Sequence, residues 1–320
     1  MNSWIEPLFR LRQIIRDTRP EIIQSWLYQS DLIVGLFAGF SRICPIIWGI
    51  RVRSVAGSSH DTLSTRAVIW VCARLSGFIP YAIISNANVS RESHIGLGYA
   101  SDRIVVIPNG IDTDIFQPNR SKGRLLRREL GISNEAPVIA LVGRYDPQKN
   151  HDGFWPIVPG IIERFPDLQI ILCGRGMTRD NADLTRMISA AHAQNHAHFL
   201  GLRSDVPSIL SCADVLVSPS HEEGWPNVVG EAMACGTVCV TTDAGDSRDI
   251  VGNTGRVVAR GDMTGLAEAV VDMLSLSDKD NLDISSSARR RIVDRFDIGK
   301  VSRMFRNLYR EALTNHKRTG

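Results

Sequence analysis

Apolar residues at Ile5, Leu8, Leu11, Ile14 and Ile15 recur at the spacing of one helical face, with Arg10, Arg12 and Arg16 among them, and Pro20 closes the run. A short strand is expected at Glu21-Ile22-Ile23, then a helix over 29–42 and a strand over 45–50. A helix near 62–75 and strands over 81–85 and 104–107 complete a first β/α alternation, the pattern of a parallel sheet. The chain opens on a helix, whereas a doubly wound unit normally opens on a strand, so the first domain is expected to be incomplete.

Asn109-Gly110-Ile111-Asp112 reads as a turn and Pro118 to Gly123 as a polar loop, which places the expected domain linker there. A second alternation follows: strands over 138–142, 169–173, 198–200, 214–218 and 238–241, with helices near 153–164, 181–193, 205–211 and 227–235. Asp262 can cap a helix bearing Leu266, Val270, Met273 and Leu274, and two more helices close the chain. The expected fold class is α/β with two Rossmann-like parallel-sheet domains. Residues 1–118 form the partial first domain, 119–297 the second, and 298–320 a helix returning toward the first.

The stretch Leu32 to Ile50 is apolar enough to require a membrane test. Ser41, Arg42 and Pro45 interrupt it, and Arg42 at a bilayer centre would cost about 2.5 kcal/mol or more, so a buried helix and a buried strand are expected instead. The 37 basic and 34 acidic residues leave a formal charge of +3, too small a field to recruit nucleic acid. None of the six cysteines has CxxC spacing, and they read as buried thiols in a reducing compartment. Met1 is not followed by a basic region and apolar core, which makes the cytoplasm the expected location. Arg10, Arg12 and Arg16 offer either a peripheral contact with the inner face of a membrane or a solvated helix face. An incomplete sheet would expose an edge and apolar surface, an invitation to self-association.

Ligands of open α/β sheets bind beyond the carboxyl ends of the strands, and three loops there carry candidate chemistry. In Gly143-Arg144-Tyr145-Asp146-Pro147-Gln148-Lys149-Asn150, Arg144 and Lys149 can clamp a diphosphate or stand as solvated surface cations. The second loop is Pro219-Ser220-His221-Glu222-Glu223-Gly224-Trp225-Pro226-Asn227, leading into Val228 and Glu231. Here the free N–H groups of a helix start can receive phosphate oxygens, Gly224 admits close approach, and Glu223 and Glu231 can accept from sugar hydroxyls. Either carboxylate is otherwise an ordinary solvated charge. Thr242-Asp243-Ala244-Gly245-Asp246-Ser247 either lines the same crevice or is a plain turn. Gly174 and Gly176 make only half a dinucleotide fingerprint, which argues against an NAD site. His192, His196 and His198 lack the companions of a metal site and read as a surface helix end.

In combination these residues resemble glycosyltransferase family 4, retaining enzymes of the GT-B fold. The resemblance runs through Val106 to Asp112, Val142-Gly143-Arg144 with Lys149, Leu200-Gly201 with Asp205-Val206, and Ser220 to Asn227. It continues through Glu231-Ala232-Met233-Ala234-Cys235-Gly236 to Thr242-Asp243, and the seven residues between Glu223 and Glu231 are its most specific mark. The resemblance implies that Arg144 and Lys149 hold the donor diphosphate, with Gly143 at the strand exit. The backbone of Gly224, Trp225, Pro226, Asn227 and Val228 would close on donor sugar and phosphate. Glu223 would contact the transferred sugar and Glu231 the ribose.

It further implies transfer with retention and without a metal or other cofactor, from a UDP- or GDP-type sugar donor to a glycan or lipid-linked acceptor. Trp48-Gly49-Ile50-Arg51 stands where the family's acceptor domain meets the cleft, with no family histidine evident near Arg51 and nothing before Met1 to supply the family's opening strand. The alternative is a non-catalytic or partner-dependent sugar-nucleotide-binding fragment.

Overall fold

The computed structural model describes residues 5–39, 43–51 and 62–319. The chain divides into two compact units, Met1–Pro108 with Val301–Gly320, and Asn109–Lys300.

The first unit runs α1 (Ile5–Thr18), β1 (Ile23–Gln24), α2 (Tyr28–Val34), β2 (Ile46–Ile50), α3 (Leu63–Leu75), β3 (Ala82–Ser85), α4 (Asn88–Gly96) and β4 (Ile104–Val106). The four strands pair in parallel in sequence order, with Ile23 opposite Ile46, Ile47 opposite Ala82 and Ile83 opposite Ile104. All five residues of β2 are buried, as expected of a parallel strand covered on both faces. Ile46, Trp48 and Ile50 pack with Ile15, Tyr28 and Cys72 on one face. Ile47, Ala82 and Ile84 meet Val301, Leu308 and Ala312 of the last helix on the other.

The apolar run 32–50 thus resolves into the end of α2, a π-helical turn at Gly35–Gly39 and buried β2. No described helix is long and apolar enough to cross a membrane. Ser41 and Arg42 lie outside the described residues, as does the segment 52–61 following Arg51.

The second unit runs α5 (Arg120–Glu129), β5 (Val138–Val142), α6 (His151–Phe154), α7 (Val158–Arg164), β6 (Gln169–Cys173), α8 (Ala182–Ala190), β7 (Ala197–Gly201), α9 (Val206–Cys212) and β8 (Val215–Ser218). It continues with α10 (Asn227–Ala234), β9 (Val238–Thr242), α11 (Ser247–Val251), β10 (Arg256–Val258), α12 (Met263–Leu274) and α13 (Asp278–Arg295). The last helix, α14 (Ile298–Thr319), begins here and enters the first unit at Val301. Six parallel strands lie in the order β10-β9-β8-β5-β6-β7.

Helices α4, α5 and α11 and strand β10 depart from the sequence expectation. The stretch expected to be a loop from Pro118 to Gly123 instead starts α5, capped by Asn119, whose side chain accepts from the Lys122 amide at 3.0 Å. Its inward face carries Gly123, Leu126 and Arg127 rather than an apolar stripe. A Cβ on Gly123 would lie 2.3 Å from the Ser211 carbonyl oxygen. Arg127, only 7% exposed, donates to the carbonyls of Cys212, Ser133, Asn134 and Ala136 and pairs with Asp214 at 3.0 Å. Helix α4 was equally invisible, because its buried residues are Ser90 and His94.

Candidate functional site

The order of strands in the second unit sets the site. Chain order reverses between β5 and β8, which makes the ends of these two adjacent strands the switch point at which open α/β sheets bind ligands. The loops leaving them are 143–150 and 219–226.

The first loop is fixed by its own polar residues. Asp146 accepts from the Gln148 amide at 3.0 Å, and Asn150, at φ 54°, caps the start of α6 through the Gly153 amide. The Asn150 amide also donates to the Pro219 carbonyl at 3.1 Å, and His221 N–H donates to the Gln148 carbonyl at 2.8 Å. These two bonds tie the loops together. Gly143 donates to the Cys173 carbonyl, and Gly174, at φ +142°, lies so close that a Cβ there would sit 1.9 Å from the Gly143 oxygen. Gly174 is therefore a packing requirement of the loop that carries Arg144.

Lys149 and Glu223 meet at this junction, Nζ to Oε1 2.5 Å, with side chains 21% and 14% exposed. Ser220 donates to the same carboxylate oxygen at 2.8 Å. Ser220 is in turn held by Thr242, whose hydroxyl donates to its carbonyl at 2.5 Å. The third loop belongs to the same assembly: Asp246 N–H donates to the Gly224 carbonyl at 2.9 Å, and a Cβ on Gly245 would lie 2.3 Å from that oxygen.

Arg144 stands apart from the Lys149–Glu223 pair. Its side chain is 58% exposed and its Nε donates to Asp146 at 2.8 Å. Burial pushes the Asp146 carboxyl up, but the bonds from Arg144 and the Gln148 amide and the charges of Arg144 and Lys149 outweigh it, so its pKa is lowered.

Pro226 precedes α10, and its position as N-cap supplies no side-chain acceptor to the first turn. Asn227 is exposed and Val228 half-buried, while the Asn109 amide donates to the Asn227 side chain at 2.8 Å. The turn Asn109 to Asp112 is anchored by Ile111, which exchanges backbone bonds of 2.8 Å with Phe296 and Ile298. Trp225 points into the core, 6% exposed, edge-on to Phe296 with centroids 5.6 Å apart. A Cβ on Gly230 would lie 2.9 Å from that indole. Any contribution of Trp225 to a ligand therefore comes through its backbone.

Glu231, one turn into α10, is half-buried, and burial raises its pKa. No hydrogen bond or ion pair from a described residue reaches its carboxylate. His196 and His198, expected at a surface helix end, instead stand just before β7 and within it, half-buried, and bond to the Leu168 carbonyl and the Gln169 side chain, each at 2.7 Å. All six cysteines are buried and free. Nothing in the sequence marks Ser220 as the partner of Glu223, or His151 as a buried ring close behind Lys149.

Two parallel-sheet α/β units, with polar loops gathered at the switch point of the second, define the GT-B architecture. The crystal structure of Anabaena Alr3699/HepE in complex with UDP superposes with a TM-score of 0.84 at 21% identity, over 95% of this chain and 82% of that one. Sucrose-phosphate synthase from Thermosynechococcus elongatus superposes with a TM-score of 0.75 at 18% identity, over 98% and 80%. The family model of glycosyl transferases group 1 matches residues 136–276, and that of Glycosyltransferase Family 4 matches residues 3–115.

UDP-Gal:alpha-D-GlcNAc-diphosphoundecaprenol alpha-1,3-galactosyltransferase of Escherichia coli is 31% identical over 320 residues, 97% of this chain and 80% of that protein. Phosphatidyl-myo-inositol mannosyltransferase of Mycolicibacterium smegmatis is 32% identical over 212 residues, 64% and 51% of the two chains. The chain belongs to glycosyltransferase family 4 and is a glycosyltransferase.

Proposed function

We propose that this chain moves a hexosyl group from a UDP- or GDP-type sugar donor to a glycan or lipid-linked acceptor in polysaccharide or glycoconjugate biosynthesis, with retention of anomeric configuration. The observation that carries the reading is the Lys149–Glu223 pair at the β5/β8 switch point, beside the start of α10 and followed one turn later by Glu231. In transfer the bond between the anomeric carbon and the phosphate oxygen breaks as the anomeric carbon bonds the acceptor's hydroxyl oxygen, the hydroxyl proton passes to the departing diphosphate, and negative charge grows on that diphosphate as it leaves. Lys149, Arg144 and the N-terminal amides of α10 are the groups that offset it, in place of a metal ion. Glu223 and Glu231 serve the donor's hydroxyls, the first at the sugar and the second at the ribose.

The Escherichia coli relative is named for a UDP-galactose donor and a diphosphoundecaprenol-linked acceptor, which supports a lipid-linked acceptor here. The reading is tested by incubating the chain with UDP-galactose or GDP-mannose and a diphosphate-linked glycolipid, then reading the new linkage by NMR. An α-linked product is expected from these α-linked donors; a β-linked product would overturn retention. The same reading puts the enzyme in the cytoplasm, touching a membrane through Arg10, Arg12 and Arg16, with Phe9 66% and Ile14 49% exposed on the same helix. Co-sedimentation with anionic but not neutral vesicles is expected, and equal recovery with both would contradict that contact.

A further inference from the structure

His151 opens α6 directly after the loop carrying Lys149, and it is 4% exposed. Its ring stacks on Tyr145 with centroids 5.2 Å apart at 29°. Neither Nδ1 nor Nε2 has a hydrogen-bond partner. Among the described residues the other histidine buried to this degree behaves differently, since His94 meets the Tyr28 hydroxyl at 2.9 Å and the Ser90 carbonyl at 2.6 Å. Buried polar groups are bonded as a rule, so an imidazole with both nitrogens unmet has hydrogen-bonding capacity free for a group that enters beside it. Burial lowers the His151 pKa to about 4, opposed by Asp152 and assisted by Lys149. The ring is therefore neutral at neutral pH and offers one N–H donor and one acceptor nitrogen.

Beside the ring lies a cavity of about 20 Å³, walled on its polar side by Gly143, Arg144, Lys149 and Ser220. A space of roughly 10–15 Å³ is enough for one water-sized group, so this cavity admits a single oxygen. Two cations, a serine hydroxyl and a neutral imidazole favour an oxygen that carries negative charge.

Resting on the donor site proposed above, we infer that one phosphate oxygen of the nucleoside diphosphate enters this cavity and accepts a hydrogen bond from His151, a third anchor beside Arg144 and Lys149. The bond adds direction without adding charge, and it binds the diphosphate while leaving the base and ribose untouched.

The test is titration of the wild-type chain, His151→Phe and His151→Gln with UDP, GDP and the corresponding nucleosides. His151→Phe is expected to lose about 10-fold or more in diphosphate affinity with nucleoside affinity unchanged, and His151→Gln, which restores an N–H donor, to recover part of it. Unchanged diphosphate affinity in His151→Phe overturns the inference, and so does an equal loss for nucleosides and diphosphates, the mark of a packing role. Should His151→Phe not fold, ring ¹⁵N spectra of the wild-type chain decide: resonances that shift on saturation with UDP or GDP support the contact, and unmoved resonances overturn it. A wild-type chain that binds no nucleotide defeats the donor site itself and this contact with it, a result distinct from any failure confined to the variants.

Discussion

Lys149→Ala should bind UDP or GDP about 10- to 100-fold more weakly than the wild-type chain, since a charge-assisted hydrogen bond contributes roughly 1.5–3 kcal/mol. Transfer should fall further, because the ammonium is placed where charge develops on the leaving diphosphate. The same substitution strands Glu223, a carboxylate only 14% exposed that keeps Ser220 as its remaining donor. Removing one member of a largely buried pair costs more than the pair contributes, and a loss of about 2 kcal/mol in unfolding free energy is expected. Removing the charge of Glu223 as well should return most of it, so Lys149→Ala with Glu223→Gln is expected to be more stable than Lys149→Ala alone. Urea unfolding of the four chains in this cycle, alongside nucleotide titration, separates the two effects. A Lys149→Ala chain with wild-type affinity would remove this lysine from the donor site.

Glu231→Gln is expected to gain stability near neutral pH while losing about 10- to 100-fold in nucleotide affinity. Burial raises the Glu231 pKa above the ordinary carboxyl value, and no described residue bonds or pairs with the charge. Between the ordinary value and the raised one, the folded chain holds a proton that the unfolded chain has released. The group's favourable contribution is therefore complete below the ordinary carboxyl range and is lost as pH rises through its folded value. Glutamine removes that loss and keeps the shape. Thermal unfolding at about pH 4 and about pH 8 should show a wild-type deficit relative to Glu231→Gln at the higher pH only. A variant that is less stable at the higher pH would mean that the carboxylate is already satisfied.

Four strands of the second unit were legible because they are buried on both faces, whereas β10, with Arg256 exposed and Val257 and Val258 half-buried, carries no such apolar run. Val138–Val142, Gln169–Cys173, Val215–Ser218 and Val238–Thr242 are short apolar runs bounded by turn residues, and the structure places them within a residue of expectation. Helices α4 and α5 were not legible, because the groups they bury are Ser90, His94, Gly123 and Arg127, whose burial depends on partners distant in sequence. Arg144, Lys149, Glu223 and Glu231 could be singled out from their places after strands and from the family pattern.

Their relations could not. Lys149 reaches Glu223 across 74 positions, whereas Arg144 turns to Asp146, two residues away. Trp225 sits in a polar loop yet points inward, because Gly230 and Phe296 leave a slot for its indole. His151 resembles any polar loop residue in sequence, and only the fold shows that its ring is buried. Gly174, half of a dinucleotide fingerprint in the sequence, is in the structure the only residue type that fits against the Gly143 carbonyl.

The donor site proposed for this chain is formed by the loops of β5 and β8 with the start of α10. Calorimetric titration of the whole chain with UDP and GDP tests it most directly. Saturable binding of one of them with a Kd on the order of 1–100 μM, weakened in Lys149→Ala and in Glu231→Ala, is expected. A folded chain that releases no binding heat with either nucleotide at millimolar concentration, and shows no ligand-induced rise in Tm, would contradict it.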